Sequence, residues 1–106
     1  MIVKVSSAIQ IGGHLYQICF DHDLQDRNDW GEVNHHTQLI TINESRLASQ
    51  RTEALVHELL HVISRIFYHS NDDVTEQLIG SMSEGLTQVF VELGVELDWS
   101  DIKEKE

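Results

Sequence analysis

Apolar residues in the first 43 positions recur at the short intervals typical of β-strands. They fall from 9 to 11 and from 15 to 20, on the two sides of Gly12-Gly13. A glycine pair tolerates positive φ and commonly closes a two-residue hairpin turn. After a polar stretch from residue 21 to 28, the partly alternating, β-branched segment from His36 to Ile42 predicts a third strand.

The pattern changes to helical spacing at about Ser49. A first helix is predicted from Ser49 to Tyr68, and its apolar middle leaves so little polar surface that the helix should lie near the centre of the fold. A second helix is predicted from Asp73 to Leu93, with Gly94 as its stop. Its predicted buried stripe consists of Val74, Leu78, Met82, Leu86, Val89 and Leu93.

Strands that precede helices along one chain predict an α+β fold. The chain has 106 residues, no proline and no internal repeat, so a single domain over residues 1–106 is expected. The prediction is a small antiparallel N-terminal sheet of about three strands, packed on two long C-terminal helices. Residues 95–106 carry several carboxylates and are predicted to form a solvated acidic tail.

Charge and composition exclude several classes of function. A formal net charge of -11 repels a phosphate backbone, and there is no basic stripe, so no nucleic-acid partner is expected. No apolar run approaches the roughly 20 residues that span a bilayer, so no membrane association is expected. The first residues lack the features of a secretory signal, which favours a cytoplasmic location. Cys19 is the only cysteine, so a metal site would have to use histidine and carboxylate ligands.

The segment around His57, Glu58 and His61 carries the candidate chemistry. Residues four apart lie on one face of a helix, so His57 and His61 can direct their imidazoles at one ion. Glu58 is adjacent to His57 and can contact a metal-bound water without occupying a coordination position. This His-Glu-x-x-His spacing predicts one zinc ion, with Glu58 as the general base for an activated water. These three side chains are also the only charged or imidazole groups between Leu55 and Ile63, and burying them without partners would cost free energy.

A catalytic zinc site requires a third protein ligand. The downstream candidates are Asp72, Asp73, Glu76 and Glu84. At about 100° per residue, Glu84 projects away from the predicted apolar stripe, whereas Glu76 lies at its edge and can reach the first helix. Glu76 is therefore the favoured third ligand, while Asp72, a candidate helix cap, and Glu84 remain open alternatives.

The segment from Leu55 to Ile63, followed by the segment from Glu76 to Leu86, resembles the ImmA/IrrE-type metallopeptidases. This zincin-related family is common in phages and mobile elements. The resemblance covers residues 36–93 and implies a minimal zincin-like fold with a His, His, Glu zinc site completed by Glu76. It also implies that the strand at Gln38–Ile42 pairs with an extended substrate. The asparagine and alanines that commonly follow the family's glutamate are absent between Gln77 and Met82.

The sequence therefore predicts a zinc-dependent metallopeptidase that acts on a protein or peptide substrate. The alternative is a catalytically inactive or regulatory metal-containing binding module, for instance a phage-encoded accessory protein. Metal-assisted hydrolysis of another type of bond is a third and weaker hypothesis. The sequence does not fix the oligomeric state.

Overall fold

A computed structural model describes residues 1–68 and 73–106 of the chain. The strands are β1 (Ile2–Lys4), β2 (Ala8–Ile11), β3 (His14–Phe20), β4 (Gly31–Asn34), β5 (Leu39–Ile42) and β6 (Glu96–Asp98). The helices are α1 (Asp23–Asp26), α2 (Ala48–Ile63) and α3 (Asp73–Glu92), and a π-helical segment, Ser64–Tyr68, follows α2. The predicted α+β class is confirmed, but the arrangement of the sheets differs from the prediction.

The main sheet has four strands in the order β2-β3-β5-β4. The predicted hairpin is present, because β2 and β3 pair antiparallel across a turn in which Gly12 has a φ of 60°. However, β5 runs parallel to β3 and antiparallel to β4, so the prediction of about three antiparallel strands is wrong. The short strand β4 lies in a stretch to which no element was assigned, and it places β5 in the interior of the sheet.

The C-terminal residues are part of the fold, and the prediction of a solvated tail over residues 95–106 is wrong. Strand β6 pairs in parallel with β1 and forms a separate two-stranded sheet. Beyond it, Trp99 and Ile102 are buried in the core, and the Trp99 ring lies 5.8 Å from that of Phe20, centroid to centroid. Apolar residues alternate with the carboxylates in this segment, and their burial outweighs the solvation of the acids.

Helix α2 lies between the main sheet and α3. It packs against β4 and β5 on one side and against α3 on the other. The core between α2 and the sheet contains Val5, Tyr16, Ile18, Phe20, Ile40, Ile42, Ala54, Leu55, Val62, Trp99 and Ile102. The predicted central position of the first helix is thereby confirmed. No helix within the described residues is long and apolar enough to cross a membrane.

Helix α3 buries a different face from the predicted one. Leu78 and Leu93 are 58% and 69% exposed, and Met82 and Val89 are also exposed. The buried positions are instead Ile79, Ser83 and Thr87, which are spaced four apart. The Ser83 and Thr87 hydroxyls donate to backbone carbonyls of the preceding turn, at 2.9 and 2.7 Å, so these polar side chains are buried with their hydrogen bonds satisfied. The side chain of Val74 lies outside the described residues.

Helix α3 ends where the glycine stop was predicted. Gly94 has a φ of 74°, and its N–H donates to the carbonyl of Val91 at 3.0 Å. The next N–H, from Val95, donates to the carbonyl of Phe90 at 2.9 Å. This pair of hydrogen bonds is a Schellman motif, which requires the left-handed conformation that glycine adopts at little cost.

Candidate metal centre

Helices α2 and α3 bring together His57, His61 and Glu76. The two imidazoles are one turn apart on α2, and their Nε2 atoms lie 3.1 Å from each other. From α3, one carboxylate oxygen of Glu76 lies 3.3 Å from the His57 Nε2, and the other lies 2.9 Å from the His61 Nε2. Three donor atoms of the kinds that zinc prefers therefore converge at the interface between the two helices.

The spacing of these donors fits a small divalent ion. In a tetrahedral site with arms of about 2.0–2.1 Å, neighbouring ligand atoms are about 3.3–3.4 Å apart. The 3.1 Å separation of the two Nε2 atoms is close to such an edge, and the 3.3 and 2.9 Å separations join each imidazole to a different oxygen of the Glu76 carboxylate. The Glu76 side chain is 59% exposed, so one side of the centre faces solvent. A catalytic site requires such an open position for a water or a substrate.

Ser83 lies next to the Nδ1 atom of the His57 imidazole. Its side chain is 1% exposed, and its Oγ lies 3.4 Å from the Nδ1 of His57. Because the hydroxyl donates its own proton to the Gly80 carbonyl, it is available to His57 only as an acceptor, which suits the tautomer that carries its proton on Nδ1. In the neutral ring this tautomer leaves a lone pair on Nε2, directed towards the Glu76 carboxylate. A cation between these atoms, or a proton on Nε2, removes the repulsion of the two facing lone pairs.

Glu58 is buried next to this centre. It is 7% exposed, although it lies in the middle of α2 beside the half-buried His57. Burial is the main cause that raises the pKa of its carboxyl from 4.5 to about 7, and the carboxylates of Glu76 and Glu32 add to the effect. Burial also lowers the pKa of the His61 imidazole, against the opposing effect of Glu76. A carboxyl that titrates near neutral pH suits a group that accepts and returns a proton.

A cavity of about 230 Å³ opens beside these residues. It is lined by Trp30, Gly31, Glu53, Ala54, His57 and Glu58. Its wall is built by the close approach of β4 to α2, which depends on the absence of a side chain at Gly31. A Cβ atom there would lie 3.2 Å from the carbonyl oxygen of Thr41 and 3.4 Å from the Cβ of Ala54.

The strand next to the cavity is β4, and this corrects the predicted substrate strand. Gln38–Ile42 was expected to pair with an extended substrate, but β5 already has β3 on one side and β4 on the other. Its backbone groups are therefore not available to a further strand. Within the described residues, β4 is an edge of the main sheet, and its first residue, Gly31, lines the cavity.

The other candidate ligands do not join the centre. Glu84 is exposed on α3 and is not part of the cluster formed by the two imidazoles and Glu76. Asp72 lies outside the described residues, as does the side chain of Asp73. A second group of potential ligands, formed by His22, Glu44 and Glu104, is fully on the surface. Exposed groups of this composition are common without any bound ion.

Sequence reasoning missed Ser83 and the strand β4. Ser83 follows Glu76 by seven residues, so the two lie on one face of α3, and this periodicity was available in the sequence. Nothing in the four residues of β4 distinguishes it from a loop. No protein-family model, curated protein or solved structure matches the chain. The resemblance to the ImmA/IrrE-type metallopeptidases therefore stays a prediction.

Proposed function

We propose that this protein is a zinc-dependent metallopeptidase of the ImmA/IrrE type, acting in the cytoplasm. The observation that carries the proposal is the convergence of His57, His61 and Glu76 beside the buried carboxyl of Glu58. Two imidazoles and one carboxylate are a ligand set used by catalytic zinc sites in peptidases, and they leave one position open. The separations of the donor atoms support a small ion with these ligands.

In the proposed reaction, His57, His61 and Glu76 would hold the zinc ion, which would supply Lewis-acid activation of a water molecule and of the scissile carbonyl. Glu58 accepts the proton of the attacking water and then donates it to the leaving amine. Burial raises the pKa of the Glu58 carboxyl to about 7 in the metal-free protein, and a bound cation would favour the ionised form that a general base requires. Ser83 lies against Nδ1 of His57 at 3.4 Å, which leaves Nε2 as the nitrogen that would ligate the metal.

The substrate in this proposal is an extended peptide that adds to the outer edge of β4. An edge strand presents unpaired N–H and carbonyl groups, which bind a peptide through main-chain hydrogen bonds. Because Gly31 lies both in β4 and on the wall of the cavity, a peptide on this edge passes close to Glu58. This position replaces the substrate strand that was expected from the resemblance.

The test combines metal analysis with two substitutions. The purified protein is expected to contain about one zinc per chain by elemental analysis, and His57→Ala is expected to lose it. Glu58→Gln is expected to retain zinc and to lose hydrolysis of a fluorogenic peptide library, whereas the control Glu92→Gln, at an exposed position of α3, keeps both properties. A parent protein that binds no zinc when zinc is supplied would refute the proposal.

The alternative function is a metal-containing binding module without turnover. It is favoured by the departure from the family's pattern between Gln77 and Met82 and by the small volume of the cavity, about 230 Å³. In that case zinc is bound, no peptide is hydrolysed, and Glu58→Gln changes no measurable property of partner binding. The same two substitutions therefore distinguish the enzyme from the binding module.

A further inference from the structure

The cavity beside Glu58 has room for one side chain rather than for a whole ligand. Pockets that enclose drug-sized molecules have volumes of roughly 300–1,000 Å³. This cavity measures about 230 Å³. Because His57 and Glu58 form part of its wall, a side chain bound there belongs to a residue close to the scissile bond.

Two residues give this cavity its chemical character. Glu53 lies one helical turn before His57 on α2, on the same face, and is half-buried. The indole of Trp30 lines the cavity together with it. A carboxylate next to an aromatic ring is a combination that binds ammonium or guanidinium groups, through a charge-assisted hydrogen bond and the negative face of the ring.

A second cavity, of about 300 Å³, continues from the first. Trp30 and Glu53 line both, and Glu84 adds another carboxyl to the second. Within the part of the chain that the structure describes, no lysine or arginine lines either cavity. Among residues 1–68 and 73–106, the ion pairs do not include Glu53.

The guanidinium of Arg46 lies over this aromatic ring. It lies 5.5 Å from the centroid of the Trp30 ring, and Asn28 holds it through its backbone carbonyl and its side-chain oxygen. Arg46 is not among the lining residues of the two cavities. Arg46 thus uses the Trp30 ring from outside the two cavities, and it forms no ion pair with Glu53 among the described residues.

We propose that the cavity beside Glu58 takes a lysine or arginine side chain of the substrate, and that Glu53 selects it. This inference rests on the proposed peptidase function and specifies its substrate class. Acidic side chains are disfavoured by repulsion from Glu53, and neutral ones do not pair with its carboxylate. The net charge of -11 adds a general attraction for basic peptides.

The test measures binding separately from turnover, in zinc-loaded Glu58→Gln protein. The probes are two peptides of identical sequence, one containing arginine and the other citrulline, which has nearly the same shape without the charge. The arginine peptide is expected to bind about 10–100-fold more tightly by calorimetry, the range of a charge-assisted hydrogen bond. Adding Glu53→Gln should reduce this ratio to below about threefold, and adding Glu53→Lys should make it favour citrulline.

The control substitution is Glu92→Gln, which removes an exposed carboxyl of α3 that lines neither cavity and should leave the ratio unchanged. Equal affinity for the two peptides, or no binding of either, would overturn the inference whatever the outcome of the activity assay. Selective binding of the arginine peptide by a protein that hydrolyses no peptide would instead refute the proposed peptidase function and leave the cation site in place.

Discussion

Replacing Glu58 by glutamine should stabilise the metal-free protein at alkaline pH while it removes the proposed general base. The folded pKa of Glu58, about 7, lies above its ordinary 4.5, so folding favours the protonated carboxyl. The unfolded chain loses this proton first as the pH rises. The stability of the parent protein therefore falls between about pH 4.5 and pH 7 because of this group.

The magnitude follows from the interval between the two pKa values. At about 1.4 kcal/mol per tenfold change in proton concentration, the interval from 4.5 to about 7 corresponds to roughly 3 kcal/mol. Glutamine has no charge to bury and does not carry this penalty. Glu58→Gln should thus exceed the parent by roughly 3 kcal/mol in free energy of unfolding at pH 8 and by less than about 1 kcal/mol at pH 5.

The assay is urea denaturation at the two pH values, in the presence of a chelator. The chelator is needed because a bound cation favours the ionised carboxylate and masks the penalty. The exposed carboxyl of Glu84 provides the matched control, since Glu84→Gln should stay within about 0.5 kcal/mol of the parent at both pH values. A gap between Glu58→Gln and the parent that is equal at pH 5 and pH 8 would refute the reasoning.

Three further predictions test the parts of the fold that support the centre. Ser83→Ala should weaken zinc binding by about 10–100-fold in a competition titration, because the imidazole loses its positioning contact, whereas the exposed Ser81→Ala should not. Gly31→Ala should lower the free energy of unfolding by about 1–3 kcal/mol, since the added methyl would lie 3.2 Å from the carbonyl oxygen of Thr41. The control Gly85→Ala has open space around the added methyl and should raise the free energy of unfolding slightly. Trp99→Ala should cost about 3–5 kcal/mol in the same unfolding assay, and a loss below 1 kcal/mol would show that the C-terminal segment is not part of the core.

The proximity of the two histidines could be predicted because it depends only on local geometry. Once residues 57–61 are helical, a spacing of four places both imidazoles on one face, whatever the rest of the fold does. To predict that Glu76 lies beside them, one further assumption was needed, namely that the second helix packs against the first. The hairpin around Gly12 and the stop at Gly94 were predictable for the same reason, since each depends on the backbone freedom of one residue.

The remaining features depend on long-range packing, which the local pattern does not encode. The buried face of α3 is set by Ser83 and Thr87, and serines and threonines are not read as core residues unless their hydrogen-bond partners are known. Similarly, Trp99 lies among acidic residues, and its burial depends on Phe20, almost eighty positions earlier. The position of β5 inside the sheet depends on a neighbouring strand of only four residues.

In the C-terminal segment, some of the residues that set the net charge are different from the residues that hold the segment in the fold. Its anchoring groups are apolar side chains and backbone atoms, such as the N–H of Phe20, which donates to the carbonyl of Lys103 at 2.8 Å. Glu104 also accepts from the backbone N–H of His22 at 2.8 Å, but Asp101 and Glu106 are exposed, and the Asp101 ion pair with Lys4, at 3.6 Å, lies between half-exposed side chains and adds little. Substitutions at Asp101 and Glu106 can therefore change the isoelectric point, in evolution or by design. They leave undisturbed the residues that hold the domain together.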